Sequence, residues 1–448
     1  MNTPICDFLR QYSVQNASRL HMPGHKGKSF LGFEAMDITE ISGADSLYEA
    51  SGIIAQSEKN AGELFGSRTF YSTEGSSLCI RAMLYLAMLH AKEAGRPSLV
   101  WATRNAHKTF MSAAALLGFD TEWLYGRSDS SYLSCAIDAQ ALDQKLSLAS
   151  VLPAAVYVTS PDYLGTTADI AALAQVCHRH GVLLIVDNAH GAYLKFLPGS
   201  LHPIDLGADM CCDSAHKTLP VLTGGAYMHL SSALPPQLAN QAKAARALFG
   251  CTSPSYLILA SLDHANGYIA NGYRQRLSDF AKKLDAVKDA LVQNGYVLLG
   301  DEKLKLTIDA KSYGYTGSEI ADILAKDNII CEFADPDFAV LMLTPENDDD
   351  ELSALTDALL SIPQRCAITR RAPMMSKPQK AMSIREATLC MREEVDADKA
   401  CGRVLASANV ACPPAVPIVV CGEVIAQDAI ECMKYYGIEK CSVVKQVL

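Results

Sequence analysis

One stretch constrains the fold more than any other: Val182-Leu183-Leu184-Ile185-Val186, five apolar residues in a row that run into Asp187. A strand with no polar alternation is buried on both faces, as strands of parallel sheets are. Upstream, Ala154-Ala155-Val156-Tyr157-Val158 reads the same way, and a helical pattern from Ile170 to His180, stopped by Gly181, separates the two runs. Together they predict a β-α-β unit inside an α/β domain. Leu78, Ala82, Tyr85 and Leu89 recur at helical spacing between Ser76 and Glu93, and Gly95 with Pro97 ends that helix.

A chain of 448 residues exceeds what one hydrophobic core usually serves. Beyond Pro235 the pattern is mainly helical to about Asn294, and then the cadence changes. Leu304 to Ile308, Ile329 to Phe333 and Ala339 to Leu343 read as strands, Gly317 to Lys326 and Asp348 to Leu360 as helices. The Arg-, Pro- and Lys-rich stretch from Ile368 to Lys380 reads as a linker. The expected division is 1–295 for an N-terminal segment and large domain, 296–367 for a small α/β domain, and 368–448 for a C-terminal unit.

Composition narrows the function classes. The chain is 49% hydrophobic and 20% charged, which excludes a mainly disordered polymer. With 39 basic against 49 acidic residues the formal charge is -10, against a general nucleic-acid binder and compatible with a cationic ligand. The 15 cysteines show no CxxC pair and include the adjacent Cys211 and Cys212, so reduced thiols in a cytoplasmic protein are expected. The first twenty residues hold Asp7, Arg10 and Arg19 without an apolar core, and no apolar run reaches about 18 residues, so neither a secretory signal nor a membrane span is expected.

Several motifs carry no chemistry. Gly24 to Ser29 ends in Gly-Lys-Ser, but a phosphate-binding P-loop needs glycine where Met22 stands. Cys177, His178 and His180 fall in the last turn of a helix, where histidines meet exposed carbonyls, and no metal site is expected. Asp348 to Glu351 reads as an acidic helix cap. Three other features combine. Gly75-Ser76-Ser77 opens a helix whose amides can hold a phosphate, although taken locally a plain serine cap is the better reading. Asp187 ends a buried strand, where open α/β sheets bind ligands. Lys217 follows the strand-like Asp209 to Asp213, within Ser214-Ala215-His216-Lys217, and Gly224-Gly225 permits close backbone approach. A phosphate cradle, a strand-end carboxylate and a later lysine are what pyridoxal phosphate needs.

At this point the chain resembles the bacterial Orn/Lys/Arg decarboxylases, pyridoxal-phosphate enzymes of the aspartate-aminotransferase fold (fold type I), in their short form. The likeness rests on His21-Met22-Pro23-Gly24-His25-Lys26-Gly27, Arg104-Asn105-Ala106-His107-Lys108, Asp187-Asn188-Ala189-His190-Gly191-Ala192-Tyr193, Ser214 to Lys217, Thr252-Ser253-Pro254-Ser255-Tyr256, Pro413-Pro414-Ala415-Val416-Pro417 and Gly422-Glu423. It implies a large domain with a mostly parallel sheet, a small α/β domain and a C-terminal decarboxylase domain. It also implies roles. Lys217 holds the cofactor aldehyde and Asp187 pairs with the pyridine nitrogen. His107 stacks on the ring, and Gly75, Ser76, Ser77, Ser214 and His216 surround the phosphate. His190 lies beside the ring, and His216 or Lys217 returns the proton to the α-carbon. Thr252 and Ser253 reach the phosphate of a partner subunit in a homodimer with shared sites, alone or within a higher oligomer.

The implied reaction is decarboxylation of arginine, lysine or ornithine to an amine of the polyamine pathway. Transamination or decarboxylation of a non-standard amino acid on the same fold is the alternative, and a catalytically silent regulatory paralogue a further one. Glu74 stands where the family usually has Asn, Asn188 where it has Glu, and Tyr193 where it has His. Cys412 and Cys421 replace a usual Tyr and Pro. These departures touch the shell around the cofactor, so they bear on substrate identity more than on cofactor use.

Overall fold

The computed structural model describes residues 1–126, 131–407 and 415–445. The chain divides into two compact units whose segments interleave: 1–97, 142–160 and 169–278 form the first, and 98–141, 161–168 and 279–448 the second. In chain order the strands are β1 (Arg68–Ser72), β2 (Leu99–Thr103), β3 (Asp120–Leu124), β4 (Ala155–Thr159), β5 (Leu183–Asp187), β6 (Met210–Asp213), β7 (Ala226–Leu230), β8 (Leu298–Leu299), β9 (Lys305–Asp309), β10 (Phe333–Ala334), β11 (Phe338–Met342), β12 (Arg392–Asp396), β13 (Leu405–Ser407) and β14 (Lys440–Val444).

In the first unit the strands lie in the order β1-β7-β6-β5-β4. β4, β5 and β6 run parallel, while β7 is antiparallel to both its neighbours. Every residue of β5, β6 and β7 is buried, as the unbroken apolar run in β5 requires. The register sets Thr159 beside Asp187 and Asp187 beside Cys212, so the polar carboxyl ends of these strands line up. The helix Gly75–Glu93 follows β1, and the predicted crossover helix is Ile170–Arg179, its N-cap Asp169 accepting a hydrogen bond from Ala172 N–H.

In the second unit β2 and β3 pair in parallel. A four-stranded antiparallel sheet has the order β10-β11-β9-β8, and the helices Gly317–Lys326 and Asp349–Ser361 carry capping boxes at Thr316/Glu319 and Asp348/Glu351. The acidic run at 348–351 is therefore a helix cap. A third sheet, β12-β14-β13, packs with the helix Gln427–Tyr435 around Leu405, Val419, Ile430 and Val443. Residues 363–379 have no regular structure, and Arg371 pins this linker to β9 through Asp309 at 2.8 Å. The expected strand from Ile329 to Phe333 is a correction: only Phe333–Ala334 pairs. Asn328 takes a left-handed turn at φ 60 and Ile330 is 80% exposed, so the β-branched run begins in open backbone and joins the sheet late.

Candidate active site

Three strand ends of the first unit build the site. At the end of β5 the Asp187 carboxylate is buried and accepts hydrogen bonds from the Tyr157 hydroxyl on β4, at 2.9 Å, and from Ala189 N–H at 3.2 Å. Burial raises its pKa above the usual carboxylate range, against the Tyr157 hydrogen bond and the field of Lys217. Past the end of β6, Lys217 sits in a single helical turn, Ala215–Thr218, with its Nζ 2.9 Å from His190 Nε2. The Asp187, His190 and Lys217 motifs, scattered over thirty residues of sequence, thus share one end of the sheet.

The Gly75 turn closes the other side. Gly75 has φ +67 and open space where a side chain would project, and its N–H donates to the Gly224 carbonyl at 2.7 Å. A Cβ on Gly224 would lie 3.0 Å from the Thr73 carbonyl oxygen, so the contact requires glycine there. The Ser214 hydroxyl donates to Ser76 Oγ at 3.0 Å, and His216 Nδ1 lies 2.9 Å from the Gly225 carbonyl oxygen. Gly75, Ser76, Ser214 and His216 are therefore joined, with Ser77 next in the same first helical turn. The N-cap is Glu74 and makes no side-chain cap bond, so the plain serine cap is not what forms. Helix amides opening beside hydroxyls suit a phosphate.

The departures have structural partners. The Glu74 carboxylate accepts the Cys251 N–H at 2.6 Å and so holds the exposed loop carrying Thr252 and Ser253. Asn188 donates to Asp213 at 2.7 Å, and Tyr193 is fully buried in the turn Ala192–Phe196. Cys412, Pro413 and Pro414 lie outside the described residues, and Cys421 is buried.

Sequence reasoning missed Tyr157, Asp213, His202 and His229. Asp213 ends β6 with both imidazoles 3.1 Å from its Oδ2. Burial opposes its ionisation, yet His202 and His229 hold its carboxyl well below the usual range, while burial pushes His229 down. Cys211 Sγ lies 3.9 Å from His202, so this buried group has the donor types of a metal site; its imidazole-carboxylate hydrogen bonds hold it together as a polar cluster, with His202 Nδ1 buried and without a hydrogen-bond partner among the described residues. A carboxylate closing a fully apolar strand was the available signal for Asp213.

In the second unit two motifs meet. The Arg104 guanidinium donates to the carbonyls of Pro417 and Ile418, at 3.0 and 2.8 Å, and pairs with Glu423 at 3.1 Å. Lys108 N–H donates to the Ala415 carbonyl. His107 caps the helix Lys108–Leu117 by accepting Thr109 N–H at 3.1 Å. His178 and His180, expected at the exposed carbonyls of the helix end, lie instead against the carboxylates of Asp209, at 3.1 Å, and Asp143, at 2.8 Å.

A family model described as "Orn/Lys/Arg decarboxylase, major domain" matches residues 3–304. The chain belongs to the Orn/Lys/Arg decarboxylase family. It is 30% identical to the uncharacterized protein YaaO of Bacillus subtilis (strain 168) over 468 aligned positions, 96% of this chain and 93% of that one. It is 28% identical to the arginine decarboxylase of the same organism, over 96% of this chain and 92% of that one. Among solved structures it is similar to the Francisella novicida lysine decarboxylase LdcF, with TM-score 0.77 and 15% identity over 99% of this chain and 81% of that one. Lysine decarboxylase A from Pseudomonas aeruginosa gives TM-score 0.78 and 17% identity over 97% and 75%. At such identities the structures establish the fold, an α/β fold of the type I pyridoxal-phosphate class. The protein is an amino acid decarboxylase of the basic-substrate family. Among the described residues no helix is long and apolar enough to cross a membrane.

Proposed function

We propose that the protein is a pyridoxal-phosphate-dependent decarboxylase of a basic amino acid, with arginine its first substrate and a polyamine-pathway amine its product. The observation that carries the cofactor assignment is that two groups share one end of the sheet: the buried strand-end carboxylate Asp187, and the half-buried Lys217 with its Nζ 2.9 Å from His190. The residues present fit the cofactor. The opening of the helix Gly75–Glu93, with Ser76 and Ser214, supplies an anion cradle; Asp187 supplies an acceptor for a pyridine N–H; Lys217 supplies the amine. Arginine is favoured because arginine decarboxylases from three Bacillus species and from Halalkalibacterium halodurans are 26–29% identical to this chain over most of their length.

When bound, pyridoxal phosphate supplies an electron sink for the pair left as the α-carboxylate departs as carbon dioxide. Asp187 holds the proton on the pyridine nitrogen that keeps this sink effective. The Tyr157 hydroxyl and the Ala189 N–H fix the carboxylate so that it does not turn away. Ser76, Ser77, Ser214 and His216 would hold the phosphate, His107 would stack on the ring, and His190 would orient Lys217. Lys217, or His216 beside it, returns one proton to the α-carbon for each carbon dioxide released.

A homodimer completes the reading, in the cytoplasm, with Thr252 and Ser253 reaching a partner's phosphate. Leu20, Phe30 and Leu31 are 93%, 75% and 76% exposed in the N-terminal segment, an apolar set suited to a second copy. Residues 1–295, 296–367 and 368–448 remain the proposed division into large, small and C-terminal domains. The test is spectroscopic. Purified protein should show the visible band of lysine-bound cofactor, and Lys217→Ala should abolish it; a band unchanged by that substitution would refute the assignment.

A further inference from the structure

The second unit holds a cavity of about 790 Å³, and none of its lining residues belongs to the proposed cofactor site. Its volume is that of a small-molecule pocket. Tyr132 and Tyr436 meet edge to face at 4.9 Å, and Tyr435 stands at 85° to Tyr436, so ring surfaces form one wall. Among the described residues the charge on the lining is acidic: Asp322, Glu332 and Asp335 against the one cation Lys434, which already pairs with Asp398.

Asp335 is the informative group. It is 7% exposed, and its Oδ1 accepts the N–H groups of Asp337 and Phe338, both at 2.7 Å. Its Oδ2 is buried with no hydrogen-bond partner among the described residues. The neighbouring carboxylate shows what a served group looks like: Asp337 takes Lys311 at 2.9 Å and the hydroxyls of Tyr435 and Tyr436 at 2.6 and 3.0 Å. Burial, and then the Asp337 charge, push Asp335 up to about 6, so the chain supplies too little positive charge there. A buried acceptor left unsatisfied is costly, and a ligand cation removes that cost.

We propose that this cavity binds a linear aliphatic cation, an amine or a guanidino-amine, with its charged end toward Asp335 and its methylene chain along Tyr132 and Tyr436. Tyrosine faces favour such cations electrostatically as well as through apolar contact. The class includes the amine that a basic-amino-acid decarboxylase releases, but the binding claim stands on the cavity and does not rest on that reaction.

Calorimetric titration of the full-length protein with putrescine and with agmatine tests it, on the wild type and on Lys217→Ala. A saturable site should persist in Lys217→Ala. Asp335→Asn should weaken it about tenfold or more, the scale of one lost charge-assisted contact. Ala321→Arg, which sets a guanidinium into the cavity from the helix Gly317–Lys326, should abolish it, and the dianion glutarate should not bind. Absence of saturable binding, loss of binding in Lys217→Ala, equal binding of glutarate, or unchanged affinity in folded Ala321→Arg would each overturn the proposal. Circular dichroism verifies folding, and Ala321→Arg decides the matter if Asp335→Asn does not fold.

Discussion

Two buried carboxylates end adjacent strands of the same sheet, and their environments push them in opposite directions. Asp213, closing β6, is served by the chain itself: two imidazoles at 3.1 Å and the Asn188 amide at 2.7 Å keep it ionised. Among the described residues Asp187, closing β5, receives a tyrosine hydroxyl, a weak thiol and one amide at close range, and burial raises its pKa. A fully buried carboxylate left short of positive charge is costly, whereas one that is paired is a structural element. The contrast marks Asp187, and not Asp213, as the strand end short of a cation, and it is there that the proposed function sets a protonated pyridine nitrogen.

Substitutions that separate the two ends can break this comparison. Lys217→Ala removes the amine at the site and should lower decarboxylation by about a thousandfold or more, read as carbon dioxide release at saturating substrate. Asp187→Asn preserves shape and removes the charge; turnover should fall by about a hundredfold to a thousandfold while cofactor is still retained. Near-normal turnover in that variant would end the electron-sink role of Asp187.

Asp213→Asn should act on stability instead, by about 3 kcal/mol in urea unfolding at neutral pH, the scale for breaking a buried ion pair. The pH dependences have opposite signs. The depressed pKa of Asp213 stabilises above the unfolded carboxylate range near 3.8 and is lost as pH falls below it, so the deficit of Asp213→Asn should shrink in acid. The raised pKa of Asp187 contributes stability below that range and loses it as pH rises through the folded pKa. Cofactor-free Asp187→Asn should therefore be more stable than cofactor-free wild type at neutral pH, with the gap closing in acid. Parallel pH curves for the two variants would contradict the contrast between the strand ends.

The smallest effect concerns Glu74. Its carboxylate is directed to the Cys251 N–H, so only residual repulsion reaches the proposed phosphate cradle. Glu74→Asn should tighten cofactor binding a few-fold, as expected for one partly screened charge, in an equilibrium titration. Weaker binding would mean that the Cys251 tether matters more than the repulsion.

What was legible in the sequence was whatever local pattern controls. The apolar run Val182 to Val186 announced a doubly buried strand, and the residue that breaks it, Asp187, is the one the proposed site is built around. The acidic run at 348–351 read correctly as a cap because a helix start is a local event. Asp213 was passed over because its partners His202 and His229 stand eleven and sixteen residues away, at no spacing that marks a motif; only the antiparallel return of β7 brings His229 back. Ile329 to Phe333 misled for the opposite reason: β-propensity is local, but pairing requires a neighbour, and β11 reaches only Phe333 and Ala334. The interleaving of the two units depends on long-range contacts that periodicity does not encode.

The central claim is that this site removes the α-carboxylate of a basic amino acid. The most direct measurement supplies arginine, lysine and ornithine separately to the protein with pyridoxal phosphate, and quantifies carbon dioxide, amine and keto acid. The expected result is equimolar carbon dioxide and amine, greatest with arginine, and none from Lys217→Ala. Keto acid in place of carbon dioxide, or no turnover of any of the three despite a visible cofactor band, would contradict it.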